Sequence, residues 1–218
     1  MAPAIPSRVE LSVSFGDIDI YLFDQLLRGR FDRRPRVLDA GCGDGRNLMY
    51  FLRRGFSCFG IDRDPGAIEH VRALAARVAP DLPLENFRTG EIDRLPWDAA
   101  SMDAVICSAV LHFAPDLAHF DRMIQEMWRV LAPGGMLFVR LASNIGLEDA
   151  VGAAGRRARL PDGSTRFVVD EAMLIERTER CGGQLLDPIK TTNVQQQRCM
   201  TTWCVAKTNS RQTHRIAK

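Results

Sequence analysis

Three alternate glycines follow an acidic residue in Val37-Leu38-Asp39-Ala40-Gly41-Cys42-Gly43-Asp44-Gly45-Arg46-Asn47. That order of residue types suits a loop that grips a small polar ligand. Glycine lets the backbone bend tightly and lets a ligand approach it closely. A helix expected from Asn47 would offer unpaired N–H groups and a positive dipole end, which suit a methionine-like carboxylate as well as a phosphate. Asp39, Gly41, Cys42, Gly43, Gly45, Arg46 and Asn47 are therefore candidate ligand contacts. A dinucleotide fingerprint would need its third glycine where Arg46 stands, so an NAD-type oxidoreductase is the weaker alternative. Asp62 ends the next strand, where a carboxylate accepts hydrogen bonds from both hydroxyls of a ribose, with Arg63 beside it. Glu91 and Ile92 follow the third strand, where an acid and a backbone amide can read an adenine edge while Ile92 packs on its face. The neighbouring Asp93 is an alternative to Glu91. These residues together point to an adenosyl ligand.

The fourth strand ends at Cys107-Ser108-Ala109-Val110-Leu111-His112-Phe113, facing the same cleft. His112 reads either as a packed histidine or as a general base. Arg140 is a charge inside the apolar run Leu137-Phe138-Val139-Arg140-Leu141 and needs solvent or a partner. It either faces outward or holds an anionic substrate or a carboxylate from elsewhere in the cleft.

The elements that position these residues alternate. Apolar strands are expected at 36–40, 57–61, 84–88, 102–107 and 136–141, and helices at 47–54, 65–78, 116–131 and 170–180. One helix precedes them, its helical spacing settling after Asp19. Residues 143–167 hold four glycines and the basic cluster Arg156, Arg157 and Arg159, which read as a mobile, solvated connection. Runs 184–194 and 198–206 follow one another without a helix and form an antiparallel hairpin at a sheet edge. The expected fold is a doubly wound, Rossmann-like, mostly parallel α/β sheet with ligands beyond the carboxyl ends of its strands. Residues 1–35 form an N-terminal helical segment, 36–207 the main domain and 208–218 a disordered tail.

The chain has 218 residues, 46% of them hydrophobic, enough for one core. Its net charge of +2 provides no field for nucleic acid or an acidic membrane. The six cysteines form no CxxC pair and read as reduced, packed thiols, so no metal site is expected. With neither a leader pattern nor a run of about 20 apolar residues, a cytoplasmic location is the expectation.

Several of these features in this order resemble the class I S-adenosylmethionine-dependent methyltransferases: the Asp39-x-Gly-x-Gly-x-Gly loop, Asp62, Gly90-Glu91 ahead of Leu95-Pro96-Trp97, the segment Ser108 to His112, and Trp128-Arg129-Val130-Leu131-Ala132-Pro133-Gly134-Gly135. The resemblance covers 36–207. It implies a seven-stranded sheet with an antiparallel last strand, S-adenosylmethionine as cofactor, S-adenosylhomocysteine as product, and a leading segment, here with Asp17, Asp19 and Tyr21, that covers the cofactor. Gly-Arg-Asn at the end of the first loop is similar to a branch that includes tellurite-resistance methyltransferases. No Asn-Pro-Pro-Tyr-like segment follows the fourth strand, which disfavours planar-amine targets in nucleic acid or protein. A small-molecule acceptor, and a monomer or homodimer, are the expected partners; a non-catalytic binder of the same cofactor is the other alternative.

Overall fold

The computed structural model describes residues 13–208; the expected tail beyond Thr208 and the first twelve residues lie outside them. Helix α1 (Ile20–Leu27) leads into β1 (Arg36–Ala40), α2 (Met49–Arg53), β2 (Ser57–Asp62), α3 (Pro65–Val78), β3 (Phe87–Thr89) and β4 (Met102–Ser108). There follow α4 (Leu117–Val130), β5 (Leu131–Ser143), the one-turn α5 (Glu148–Val151), the hairpin β6 (Arg156–Arg159) and β7 (Thr165–Val168), and α6 (Glu171–Arg180). Strands β8 (Gly183–Leu185), β9 (Lys190–Val194) and β10 (Arg198–Lys207) complete the fold.

Local chemistry sets the helix starts. Asp64, Asp116 and Asp170 each place a carboxylate on a first-turn backbone N–H, and Pro65 occupies the first turn of α3, where no hydrogen bond is lost. The main sheet runs β3-β2-β1-β4-β5-β10-β8, with β9 also paired to β10. Every pair from β3 to β5 is parallel, and β10 is antiparallel to all its neighbours. This is the doubly wound sheet the sequence predicts, with seven positions. The expected strand over 184–194 is split, so β8 and β9 share the edge position beside the two halves of β10. Pro188 lies in the gap and has no N–H for the ladder. Order reverses between β1 and β4, the place where an open parallel sheet takes ligands beyond its carboxyl ends.

Apolar faces on both sides of the sheet bury two large clusters, one including Phe120, Phe138's neighbour Val139 and Trp203, the other Phe51, Phe87 and Phe138. Trp203 is buried and donates from Nε1 to the Thr178 hydroxyl at 2.9 Å, so its one polar atom is satisfied. All six cysteines are free thiols, and burial raises each of them, Cys42, Cys58 and Cys107 far above their ordinary range and Cys204 to about 12.

Two expectations are corrected. Residues 143–167 are packed structure: Ala142, Leu147, Val151, Ala158, Leu160 and Val168 form a small core, and Phe167 stacks on Phe120 at 4.8 Å. Its glycines serve turns, at positive φ, and so concealed an ordered hairpin. The helix expected from Asn47 begins at Met49, because the loop closes first through Leu48 N–H to the Gly45 carbonyl at 2.9 Å. Among the described residues no helix is long and apolar enough to cross a membrane.

Candidate functional site

The glycine loop is fixed to β2 before any ligand is considered. The N–H groups of Gly41 and Cys42 both donate to the Ile61 carbonyl, at 2.8 and 3.0 Å, and Gly43 N–H donates to Asp62 Oδ2 at 2.9 Å. Gly41, Gly43 and Gly45 all have positive φ. A Cβ on Gly41 would lie 2.4 Å from a Val110 methyl, whereas one on Gly43 would meet nothing, so the Gly43 side of the loop is an open cradle.

Beside it, at the carboxyl ends of β1, β2 and β4, lies a cavity of about 440 Å³. Its walls bring together Gly41, Arg46, Asp62, Arg63, Glu91, Ile92 and Ser108 of the sequence-predicted residues. Ala109, in the left-handed backbone region at φ 63°, and Val110 continue the wall past β4. Asp62 Oδ1 also accepts from the Asp64 N–H at 3.0 Å, so each oxygen keeps one acceptor position free. Ile92 is buried at the wall while Glu91 is exposed. Asp93 does not join that wall; it pairs with His119 Nε2 at 3.4 Å and Arg122 Nε at 3.5 Å.

Asp39 is buried beneath the loop with neither oxygen hydrogen-bonded. Burial pushes its carboxyl up to about 8, countered in part by the Arg46 charge and reinforced by Asp62. An orphaned buried acid of this kind fits a ligand that brings an ammonium group, as a methionine moiety does.

The leading segment is clamped over the strand ends by Asp19. Its Oδ1 accepts from the Tyr21 N–H at 2.9 Å and caps α1. Its Oδ2 accepts from Ser108 Oγ and Arg140 Nη1, both at 3.0 Å, with Arg46 Nη2 at 3.9 Å. Asn47 completes the clamp, its Oδ1 accepting from the Asp19 N–H at 3.0 Å. Tyr21 lies under the Arg140 guanidinium at 4.8 Å from the ring centre and shares a hydrogen bond with Thr192. Arg140 thus holds a carboxylate from another part of the fold, and Asp19, Tyr21, Asn47 and Arg140 stand behind the cavity wall.

His112 is buried, its Nδ1 has no partner, and it does not reach the cavity. Burial, and to a lesser extent Arg166, pushes it down to about 4, so it is neutral near pH 7. Sequence reasoning missed two cavity residues on α4, His119 and Met123, and made nothing of Phe113. Position 119 follows the Asp116 cap by three residues, the signal that places it on the first helical turn.

A methyltransferase domain model matches residues 38–139. A probable S-adenosylmethionine-dependent methyltransferase of Mycolicibacterium smegmatis is 31% identical over 153 residues, covering 70% of this chain and 53% of its own length. A ubiquinone biosynthesis O-methyltransferase of Methylocella silvestris is 35% identical over 117 residues, 52% of this chain and 43% of its own. The chain spans about half the length of these curated relatives. The magnesium protoporphyrin IX methyltransferase of Synechocystis PCC 6803, solved with bound S-adenosylhomocysteine, shares the fold at a TM-score of 0.65 and 17% identity, over 95% of this chain and 90% of that one. Residues 38–139 therefore match a methyltransferase domain, and the chain has the class I fold of S-adenosylmethionine-dependent methyltransferases.

Proposed function

We propose that the protein transfers the methyl group of S-adenosylmethionine to a small-molecule acceptor. The observation that carries this is the convergence on one cavity of the glycine loop, the two free acceptor positions of Asp62 and the Glu91–Ile92 wall. The cofactor supplies an electrophilic methyl on a sulfonium, leaving S-adenosylhomocysteine as product. In this assignment Asp62 takes the ribose hydroxyls, Asp39 the ammonium, the glycine loop the carboxylate end, and Glu91 with Ile92 the adenine. Ser108, Ala109 and Val110 form the wall toward the acceptor, and the segment ahead of β1 covers the site.

The chain's main task is then to hold two reactants in line and dry, which contributes up to about 7–11 kcal/mol in favourable cases. A dedicated base is not required of it: His112, at about 4 and away from the cavity, is no proton acceptor for a hydroxyl, whereas an acceptor already ionised or unprotonated needs none. The cavity's size and the near-neutral net charge support a small acceptor over a polymer.

The test is calorimetric titration with S-adenosylhomocysteine, followed by incubation with S-adenosylmethionine and pooled metabolites and oxyanions, with product mass as readout. Asp62→Asn should weaken cofactor binding by about 3 kcal/mol, roughly a hundredfold, because charge-assisted bonds to both hydroxyls are lost. Asparagine is the cleaner substitution, since its one oxygen keeps one of the two backbone bonds from Gly43 and Asp64, whereas Asp62→Ala releases both. No binding by the wild-type protein refutes the assignment.

A further inference from the structure

The hairpin β6–β7 rises at the carboxyl end of β5, where Ser143 bridges to Val169, and so stands on the cavity's side of the sheet. Its Ala158, Phe167 and Val168 are buried, which holds the hairpin in place; Arg157, paired across from Phe167, is exposed, and Arg166, paired across from Ala158, is half-buried.

Both arginines converge on Phe113. The Arg166 guanidinium lies 4.9 Å from the ring centre. Arg157 Nη1 reaches toward the carbonyls of Phe113 and Ala114 at 3.4 and 3.5 Å, and its Nη2 toward that of Thr165 at 3.5 Å. Phe113 itself lines the cavity and is 45% exposed, a large apolar ring left open at the mouth. Neither arginine forms a salt bridge among the described residues. Asp162, the acid at the hairpin turn, bonds Ser164 and pairs with Arg198 at 3.9 Å, and it feels the Arg166 charge only as a weaker, longer-range effect. Contacts of 3.4–3.5 Å are at the loose limit of hydrogen bonding, so an anionic oxygen would replace them at little cost. An exposed ring at the cavity wall with one guanidinium over its face and a second at its backbone carbonyl, neither in a salt bridge among the described residues, is complementary to one kind of molecule.

We propose that the methyl acceptor carries a carboxylate or phosphate on an apolar body, the body lying on Phe113 and the anion facing Arg157 and Arg166. The proposal rests on the methyltransferase assignment above and names its acceptor class. Guanidinium groups bind either anion in a two-pronged fashion, and the packed hairpin needs no reordering to do so.

The test uses full-length protein saturated with S-adenosylhomocysteine, titrated calorimetrically with benzoate, phenyl phosphate and the neutral isostere benzamide. At least one anion should bind tenfold or more tightly than benzamide, and which one does so distinguishes carboxylate from phosphate. In R157Q/R166Q that preference should disappear while affinity for S-adenosylhomocysteine stays unchanged; R157K/R166K, which keeps the charge, should retain part of it. Equal binding of benzamide, no binding of either anion, or a preference that survives R157Q/R166Q overturns the proposal. Absence of S-adenosylhomocysteine binding in the first titration would instead overturn the methyltransferase assignment. A melting curve for each variant confirms that the hairpin remains folded.

Discussion

Binding of S-adenosylhomocysteine near pH 7 should release close to one proton, and Asp39→Asn should abolish that release. In the ligand-free protein burial raises the Asp39 carboxyl to about 8, so at pH 7 it is protonated in roughly nine molecules of ten. Pairing with an ammonium requires the carboxylate, and deprotonating it first costs about 1.4 kcal/mol at pH 7. Each unit by which the pH falls below 7 adds a similar amount, so affinity should drop about tenfold between pH 7 and 6. Calorimetry at pH 7 in two buffers of different ionisation enthalpy reads the proton count directly. The same residue affects stability with a definite sign. Its folded value lies above its unfolded one, so ligand-free stability is highest below pH 4 as far as Asp39 is concerned, and is lost as the pH rises from about 4 to about 8. Asp39→Asn should therefore raise the melting temperature of ligand-free protein above pH 8. A binding heat independent of buffer, or an equal loss of affinity between pH 7 and 6 in Asp39→Asn, would refute the placement of an ammonium at Asp39.

Asp19→Ala should cost about 3 kcal/mol in a denaturant melt, because it leaves the Arg140 guanidinium without its carboxylate and Ser108 without its acceptor; Asp19→Ala with Arg140→Met should cost less than Asp19→Ala alone. Gly41→Ala and Gly43→Ala separate fold from ligand. The first should melt lower by about 1–3 kcal/mol, since its Cβ meets Val110 at 2.4 Å, while the second should lose less stability but bind S-adenosylhomocysteine more weakly, its Cβ entering open space at the loop. Equal effects of the two on binding and melting would show that the cradle at Gly43 is not a ligand surface.

The mostly parallel sheet and most element positions were legible because each rests on a local signal: alternating apolar runs for strands, Asp64, Asp116 and Asp170 for helix starts, and the glycine loop for the turn after β1. The cavity wall from Gly41 to Ser108 was legible for the same reason, since strand ends in a parallel sheet share one edge. What stayed hidden depends on contacts distant in sequence. Arg140 read as either outward-facing or paired with an anion, and only Asp19, 121 positions away, identifies the carboxylate it holds. His112 sat at an eligible strand end, but one turn of 3₁₀ helix over Leu111–Phe113 carries its ring into the interior and puts Phe113 at the mouth. The arginines of β6 and β7 read as a solvated loop because four glycines mask strands whose packing comes from α4 and β5.

The split edge beside β10 has a consequence for self-association. An edge strand presents unpaired backbone groups that a second chain can extend, and short interrupted edges resist this. Here one margin of the sheet is the three-residue β3 and the other is β8 and β9, of three and five residues, with Pro188 between them and Lys190 beginning β9. Among the described residues no margin therefore offers a neighbour more than five consecutive residues to pair with, and the proline keeps the two short stretches from fusing into one adhesive ribbon.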